Sequence, residues 1–403
     1  MRSKALALMA ASIGVVVGIA GTSASAWAST ATGSPIKVGA ISALSGPITI
    51  ADPQNTAKAY FKYINAHGGI NGHPIDYISL DDAANPANAA TDARQLVEQD
   101  GVVAEVGGSS LLECAVNANF YVQQKVLDIP GIGVDQDCFG SPDVSPVNTG
   151  PFNGTEAGLE YLYKDLHKTK LCDIGNNVSA SYNAGVIASI KKWEASTGQK
   201  VLLTDLSIVP GKSNMTTYVL EAKKHGCTGV VWGLTSTAPQ LVQAAHTQGI
   251  NFSDPSSPKD VAWIGLTTIY SSQLATALGA SGNGLMSESE FEPATPQDAN
   301  APGIAAWESV AKAGGAPISS TGEGGYVAAK LFVDVAKTIK GAITRASFTA
   351  AMHKVSDYVS PLTGTPYSFT PGPAHNSNRA IKVVILKGGV WQSLTSNWVV
   401  VPS

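Results

Sequence analysis

Short apolar runs alternate with longer stretches whose apolar residues recur every three or four positions, and this rhythm repeats along most of the chain. Residues 36–41 read as a strand. After them Ala57, Tyr60, Phe61 and Ile64 fall at i, i+3, i+4 and i+7, one face of a helix. Gly68, Gly69 and Gly72 stop it, because glycine takes the left-handed conformation of a helix end at least cost. Residues 75–80 predict a second strand. Asn85 and Pro86 predict an N-cap with proline in the first turn of a helix reaching about Gln99. Residues 102–106 and 127–129 predict two further strands.

The rhythm resumes after residues 148–151, with strands predicted at 171–174, 200–206, 229–232 and 261–264. Between them lies a helix capped by Ser213 that runs to His225 and closes at Gly226. Helical patterns return at 304–313, 324–339 and 345–355, and the remaining C-terminal stretch, rich in Pro, Thr, Val and Trp, reads as extended. Strand alternating with helix implies parallel sheets with right-handed crossovers. Two such series in one chain imply an α/β protein of two doubly wound parallel-sheet lobes.

The N-terminus sets the compartment. Arg2 and Lys4 precede an apolar stretch from residue 5 to 20, and Ala24, Ala26 and Ala28 supply small-x-small cleavage patterns, so residues 1–28 read as a cleaved export signal. The apolar core is short and rich in Gly and Ala, which separates it from a membrane anchor. No cysteine lies in or just after it, and no later run matches the length of a span, so a secreted or periplasmic, soluble mature chain is expected. Loss of Arg2 and Lys4 takes the formal net charge from −4 to −6, a mild acidity that argues against nucleic acid or an anionic membrane surface as partner. Charged residues make up 14% of the chain and glycine occurs 41 times, which suits many tight strand-to-helix turns.

The mature chain keeps Cys114, Cys138, Cys172 and Cys227. In an oxidising compartment an even count reads as disulfides, with three connectivities open. No CxxC or Cys/His cluster supports metal, and no cofactor is indicated.

Ligands of open parallel sheets bind beyond the carboxyl ends of the strands, which selects a few turns. Gly107-Gly108-Ser109-Ser110 joins a strand to a helix, and its glycines, hydroxyls and free N–H groups suit a carboxylate or another acceptor. An ordinary glycine turn with a serine cap is the competing reading. The turns at 42–46, 131–135, 179–185, 234–237 and 266–270 occupy equivalent places, with Tyr182 placed as an aromatic lid or a packing residue. Asp81 and Asp82 read as turn and cap residues rather than an acid–base pair, since neighbours on a strand end point apart. No GxSxG or HExxH appears, and seven scattered histidines form no constellation, so enzymatic activity is not expected.

The segments Ile36-Lys37-Val38-Gly39, Leu44-Ser45-Gly46-Pro47, Ile64-Asn65-Ala66-His67-Gly68-Gly69-Ile70-Asn71-Gly72, Leu80-Asp81-Asp82 with Asn85-Pro86, and Val106 to Ser110 stand at a characteristic spacing. In them the chain resembles the leucine/isoleucine/valine-binding group of periplasmic substrate-binding proteins, which serve branched-chain amino acid ABC transporters. The likeness runs the length of the mature chain and is sharpest over its first third. It implies a type I periplasmic-binding fold whose lobes are joined by a three-stranded hinge, with passages near 148–153, 287–291 and 355–361. Lobe one would then be 35–150 plus 290–356, and lobe two 151–289 plus 357–403. Given that layout, the resemblance favours the pairs Cys114–Cys138 and Cys172–Cys227.

Carried onto this chain, the family's carboxylate-binding serine matches Ser109 or Ser110. Its second contact turn matches Gly133 and Val134, with valine in place of threonine. The lid tyrosine matches Tyr182. A further turn falls at Thr235 and Ser236, where no aromatic stands. The amine-binding glutamate aligns with Thr267. A buried ammonium without a carboxylate is costly, so either the ligand lacks it or another acid supplies the charge, with Glu323 and Asp135 as candidates. The resemblance implies a monomer that closes around a small polar solute, amino acid-like, amide or carboxylate, and delivers it to a membrane permease. A ligand-sensing receptor on the same lobes is the alternative.

Overall fold

The computed structural model describes residues 31–46, 49–209, 211–233, 235–369, 375 and 377–401. The export-signal segment lies outside these. Two sheets organise the chain. The first holds β1 (Ile36–Ser42), β2 (Ile75–Asp81), β3 (Ala104–Val106) and β4 (Leu127–Ile129) in the order β2-β1-β3-β4, all parallel. The second holds β5 (Leu171–Asn176), β6 (Val201–Ile208), β7 (Gly229–Trp232), β8 (Ala262–Gly265), β9 (Met286–Ser289), β10 (Ala380–Lys387), β11 (Val390–Ser393) and β12 (Val399–Val400). Its order is β11-β10-β9-β8-β7-β5-β6, with β12 paired to β10. Strands β5 to β9 are parallel, and β10 runs antiparallel to its partners.

The strands form where the apolar runs predict, because a sheet covered on both faces needs nearly continuous hydrophobic strands. β7 and β8 are buried at every position. Helices Asp52–Ala66, Pro302–Gly314 and Ser320–Lys337 pack on one face of the first sheet around Phe61, Trp307 and Phe332. Leu96, Tyr121 and both cysteines of the first disulfide fill the other face. The second sheet is clothed the same way, by Trp232, Trp263 and Leu241 on one side and Leu159, Trp193 and Tyr182 on the other.

Local signals behave as chemistry dictates. Asn85 caps its helix, its side chain accepting from the Ala87 and Asn88 N–H groups at 2.8 and 3.4 Å. The regular α-helix ends at Arg94, and residues Gln95–Asp100 continue it as a π-turn closed by Gly101 at φ 69°. The cap expected at Ser213 belongs instead to Asn214, whose side chain accepts from Thr216 N–H at 3.0 Å, while Ser213 takes the Val209 N–H in the preceding loop.

Both disulfides are present, Cys114–Cys138 and Cys172–Cys227, with Cα separations of 5.1 and 5.9 Å.

The chain passes between the two cores three times. Val147 belongs to the first core and the helix Gly150–Lys164 to the second. Ser289 ends β9 in the second sheet, and Phe291 is already in the first core. The third passage lies later than residues 355–361. Leu362, Tyr367 and Phe369 are buried in the first core, tied to it by the paired Tyr358–Tyr367 backbone bonds and by Phe369 N–H to the Val355 carbonyl. The polar residues around 355–361 read as a hinge, but the aromatic positions that follow find their burial in the first lobe.

Candidate functional site

The turn after β3 is built for close approach. Gly107 sits at φ 77°, and a Cβ on it would come within 2.6 Å of Ala57 Cβ, while one on Gly108 would lie 2.6 Å from the Ile41 carbonyl oxygen. The serines that follow are buried and engaged with the fold. Ser109 Oγ donates to the Ile50 carbonyl at 2.6 Å, and its N–H donates to Ser42 Oγ at 3.0 Å, which fastens the loop after β1. Ser110 Oγ donates to Asp82 and accepts from the N–H groups of Leu112 and Glu113 at 3.1 and 3.2 Å. Asp81 and Asp82 act as turn residues. Asp81 Oδ1 collects the N–H groups of Leu44, Ser45 and Ala83, and three such bonds with the Ser45 hydroxyl hold its carboxyl below the usual carboxylate range despite some desolvation.

The turn after β4 is anchored to the first passage. Gly133 N–H donates to Asn148 Oδ1 at 2.9 Å, and Asn148 Nδ2 returns a bond to the Gly133 carbonyl at 3.2 Å. Val134 beside it packs against both the first core and the second. Asp135 serves as a cap, accepting from Asp137, Cys138 and Ala115 N–H groups.

From the second lobe, Tyr182 opens the helix Ala180–Thr197, and its ring lies 5.9 Å from that of Phe152. It is 7% exposed and sits within the second core, where burial pushes its hydroxyl pKa up. Thr235 begins a short 3-10 turn, and Ser236 beside it is exposed.

Thr267 and Glu323 are different in kind. Thr267 starts a 3-10 turn after β8, and that turn packs against the helix Ser320–Lys337 of the first lobe, which carries Glu323 in its first turn. The glycines of this helix also let it approach the turn after β4: a Cβ on Gly324 would lie 2.3 Å from the Gly131 carbonyl oxygen. Glu323 is fully buried, and neither carboxyl oxygen finds a donor among the described residues. Thr267 Oγ1 is likewise buried without a partner among them. Desolvation, with Glu292, Glu308 and Asp298 adding like charge, pushes the Glu323 pKa far up. Its charge is also felt by Tyr270, at the end of the same turn, whose hydroxyl burial raises first and Glu323 raises further.

A third group had no counterpart in the sequence reading. Glu290 is buried between the passages and accepts from Asn148 Nδ2 at 3.2 Å and from Gly150 N–H at 2.9 Å. Asn378 Nδ2 reaches the Glu290 carbonyl at 2.6 Å and Thr149 Oγ1 at 3.0 Å. One polar cluster therefore ties all three passages together. No local motif announces it, since its members stand 142 and 88 residues apart.

Two doubly wound lobes joined by three passages are the type I periplasmic-binding fold. The periplasmic binding protein family model matches residues 35–389, and the chain belongs to that family. It is 22% identical to the Leu/Ile/Val-binding protein of Escherichia coli K12, over 62% of this chain and 68% of that one. Its fold superposes on a branched-chain amino acid substrate-binding protein of Streptococcus pneumoniae, solved with isoleucine, with a TM-score of 0.72 at 18% identity, covering 90% of this chain and 99% of the other. It superposes equally on a fatty acid ABC transporter substrate-binding protein of Thermomonospora curvata, with a TM-score of 0.70 at 19% identity over 91% and 92%. Among the described residues no helix is long and apolar enough to cross a membrane.

Proposed function

We propose that this protein closes its two lobes around a small polar solute outside the cytoplasm and delivers it, as a monomer, to the permease of an ABC transporter. The observation that carries the reading is the orphaned pair at the lobe junction. Glu323 and Thr267 are buried, come from opposite lobes, and lack hydrogen-bond partners among the described residues. A buried polar group left without a partner costs about 1–3 kcal/mol, so such groups persist where a ligand supplies the missing bonds.

The solute this favours is a hydrogen-bond donor at that end. An ammonium would favour the ionised form of Glu323, whose proton leaves to solvent, and pair with the carboxylate. An amide would donate to the acid's carbonyl oxygen and to Thr267. Proteins of this fold named for isoleucine and for fatty acid ligands indicate that the side chains facing the junction, rather than the scaffold, choose the solute. Ser109, Ser110, Gly133, Val134, Tyr182, Thr235 and Ser236 are proposed as the surrounding turns, with the serines contributing through the loop they fasten. The domain closure that a solute would drive is a hinge motion about the three passages.

The test is native mass spectrometry of the exported protein, identifying what it carries, followed by calorimetric titration of that compound. Glu323→Gln and Thr267→Val should each weaken binding by about ten- to a hundredfold, the size expected for a lost buried hydrogen bond to a charged or polar group. Unchanged affinity in both variants would sink the reading of the junction.

A further inference from the structure

A cavity of about 280 Å3 opens on the flank of the hinge, and its wall includes none of the side chains assigned above to the solute. Phe139 and Ser145 reach it from the first lobe, Phe152 and Lys192 from the second, and Arg379 from the third passage. Lys192 lies ten residues beyond Tyr182, roughly 15 Å along the same helix, while Phe152 on this wall packs on the Tyr182 ring with centroids 5.9 Å apart.

The wall is chemically one-sided. It carries the permanent cations Lys192 and Arg379 and no carboxylate. Lys192 also meets Glu156 at 3.4 Å. Arg379 is different: its Nε is buried without an acceptor, and no carboxylate pairs with the guanidinium among the described residues. Ser145 is 1% exposed, and its hydroxyl has no partner among them. His375 Nε2 faces the carbonyls of Ser141 and Pro142 at 3.0 and 3.1 Å, which makes that nitrogen the donor. Its Nδ1 is then a lone-pair acceptor, and it too is buried and unpartnered. Phe139 and Phe152 add apolar surface, their rings 5.9 Å apart and nearly perpendicular. The helix Gly150–Lys164 points its N-terminus here through Thr149, whose side chain makes no cap bond.

We propose that this cavity is a second binding site, for a small organic carboxylate. The carboxylate pairs with the Arg379 guanidinium, helped by Lys192, and an apolar body rests on the two phenylalanines. Guanidinium and carboxylate match as a fork pair, and no carboxylate among the described residues takes the Arg379 guanidinium. A volume near the lower end of small-ligand sites fits one ring-sized acid. Because the walls come from both lobes, an occupant binds best to the arrangement seen here.

The probe is 4-hydroxybenzoate, titrated calorimetrically into the full exported protein at constant ionic strength, with 4-hydroxybenzamide as the uncharged isostere. The site predicts saturable binding of the acid and at least about tenfold weaker binding of the amide, the loss of a charge-assisted pair. Arg379→Gln should remove the preference for the acid, Arg379→Lys should keep part of it, and Glu323→Gln should leave it intact. The Lys variant separates loss of the pair from loss of the fold. The proposal fails if wild-type protein shows no binding at millimolar acid, if acid and amide bind alike, or if Glu323→Gln abolishes binding that Arg379→Gln leaves untouched.

Discussion

Asn148 Nδ2 lies 3.2 Å from a carboxyl oxygen of Glu290, and through that contact the first and second passages between the lobes are joined. The same amide bonds the turn at Gly133, so one side chain links the hinge to the loop beyond β4. Asn148→Ala should therefore cost about 2–3 kcal/mol, read as a lower denaturant midpoint, because it leaves a buried carboxyl and a buried peptide short of partners. Unchanged stability would place the hinge's rigidity elsewhere.

Burial pushes Glu290 up to about 7 even though Asn148 and Gly150 donate to it, and burial alone pushes Asp173 to about 7. These groups bind protons in the folded state that the unfolded chain releases near its ordinary carboxylate pKa. Stability is thus greatest below that ordinary value and falls as pH rises through 7. The melting temperature should drop between pH 5 and pH 8, and Glu290→Gln should flatten part of that slope by up to about 3 kcal/mol at the alkaline end. A melting temperature that rises over this range would contradict the assignment.

Ser110 is one of the two serines that the resemblance offers as the carboxylate contact, yet its hydroxyl here serves Asp82 and the N–H groups of Leu112 and Glu113. Ser110→Ala should lower stability by about 1–2 kcal/mol, as loss of a capping hydroxyl does. Any change in solute affinity should track that loss, and thermal denaturation beside a binding titration separates the two effects.

Gly154 lets the helix Gly150–Lys164 lie against Glu288, whose carboxyl oxygen would stand 2.6 Å from a Cβ placed there. Alanine ordinarily favours a helix by about 1 kcal/mol over glycine. Gly154→Ala should nonetheless destabilise, because the Glu288 carboxyl it displaces is fully buried and flanked by Asp173 and Glu290. A higher melting temperature for the variant would show that the carboxyl can shift.

The disulfides close separations of 24 and 55 residues. Reduction of either should cost about 3–4 kcal/mol on the chain-entropy model, measured as the shift in unfolding midpoint with and without reductant.

Much of this molecule is local in origin. The runs at β1, β2, β7 and β8, the Asn85 cap and the glycine stops depend on neighbours a few residues away, where hydrophobic period and backbone freedom act directly. Alternation of strand and helix then leaves a doubly wound lobe as the arrangement that buries both faces of each sheet. The cysteine pairing was legible only through the layout that the resemblance supplied.

What the sequence could not carry is the energetics of distant groups. Ser109 and Ser110 were visible as a polar turn, but their engagement with Ile50 and Asp82 follows from how loops stack above the sheet. Asp135 and Glu323 looked equivalent as acids, and only packing separates them: one spends its oxygens on helix N–H groups, the other is sealed without a donor. Residues 358–369 went to the first lobe because Leu362, Tyr367 and Phe369 found their burial there. Sequence by itself determined the elements and the two-lobed class, since these follow from local periodicity and chain geometry. Tertiary structure decided which polar groups are satisfied, where the third passage lies and how Asn148, Glu290 and Asn378 meet, since desolvation and hydrogen bonding depend on neighbours that only folding brings together.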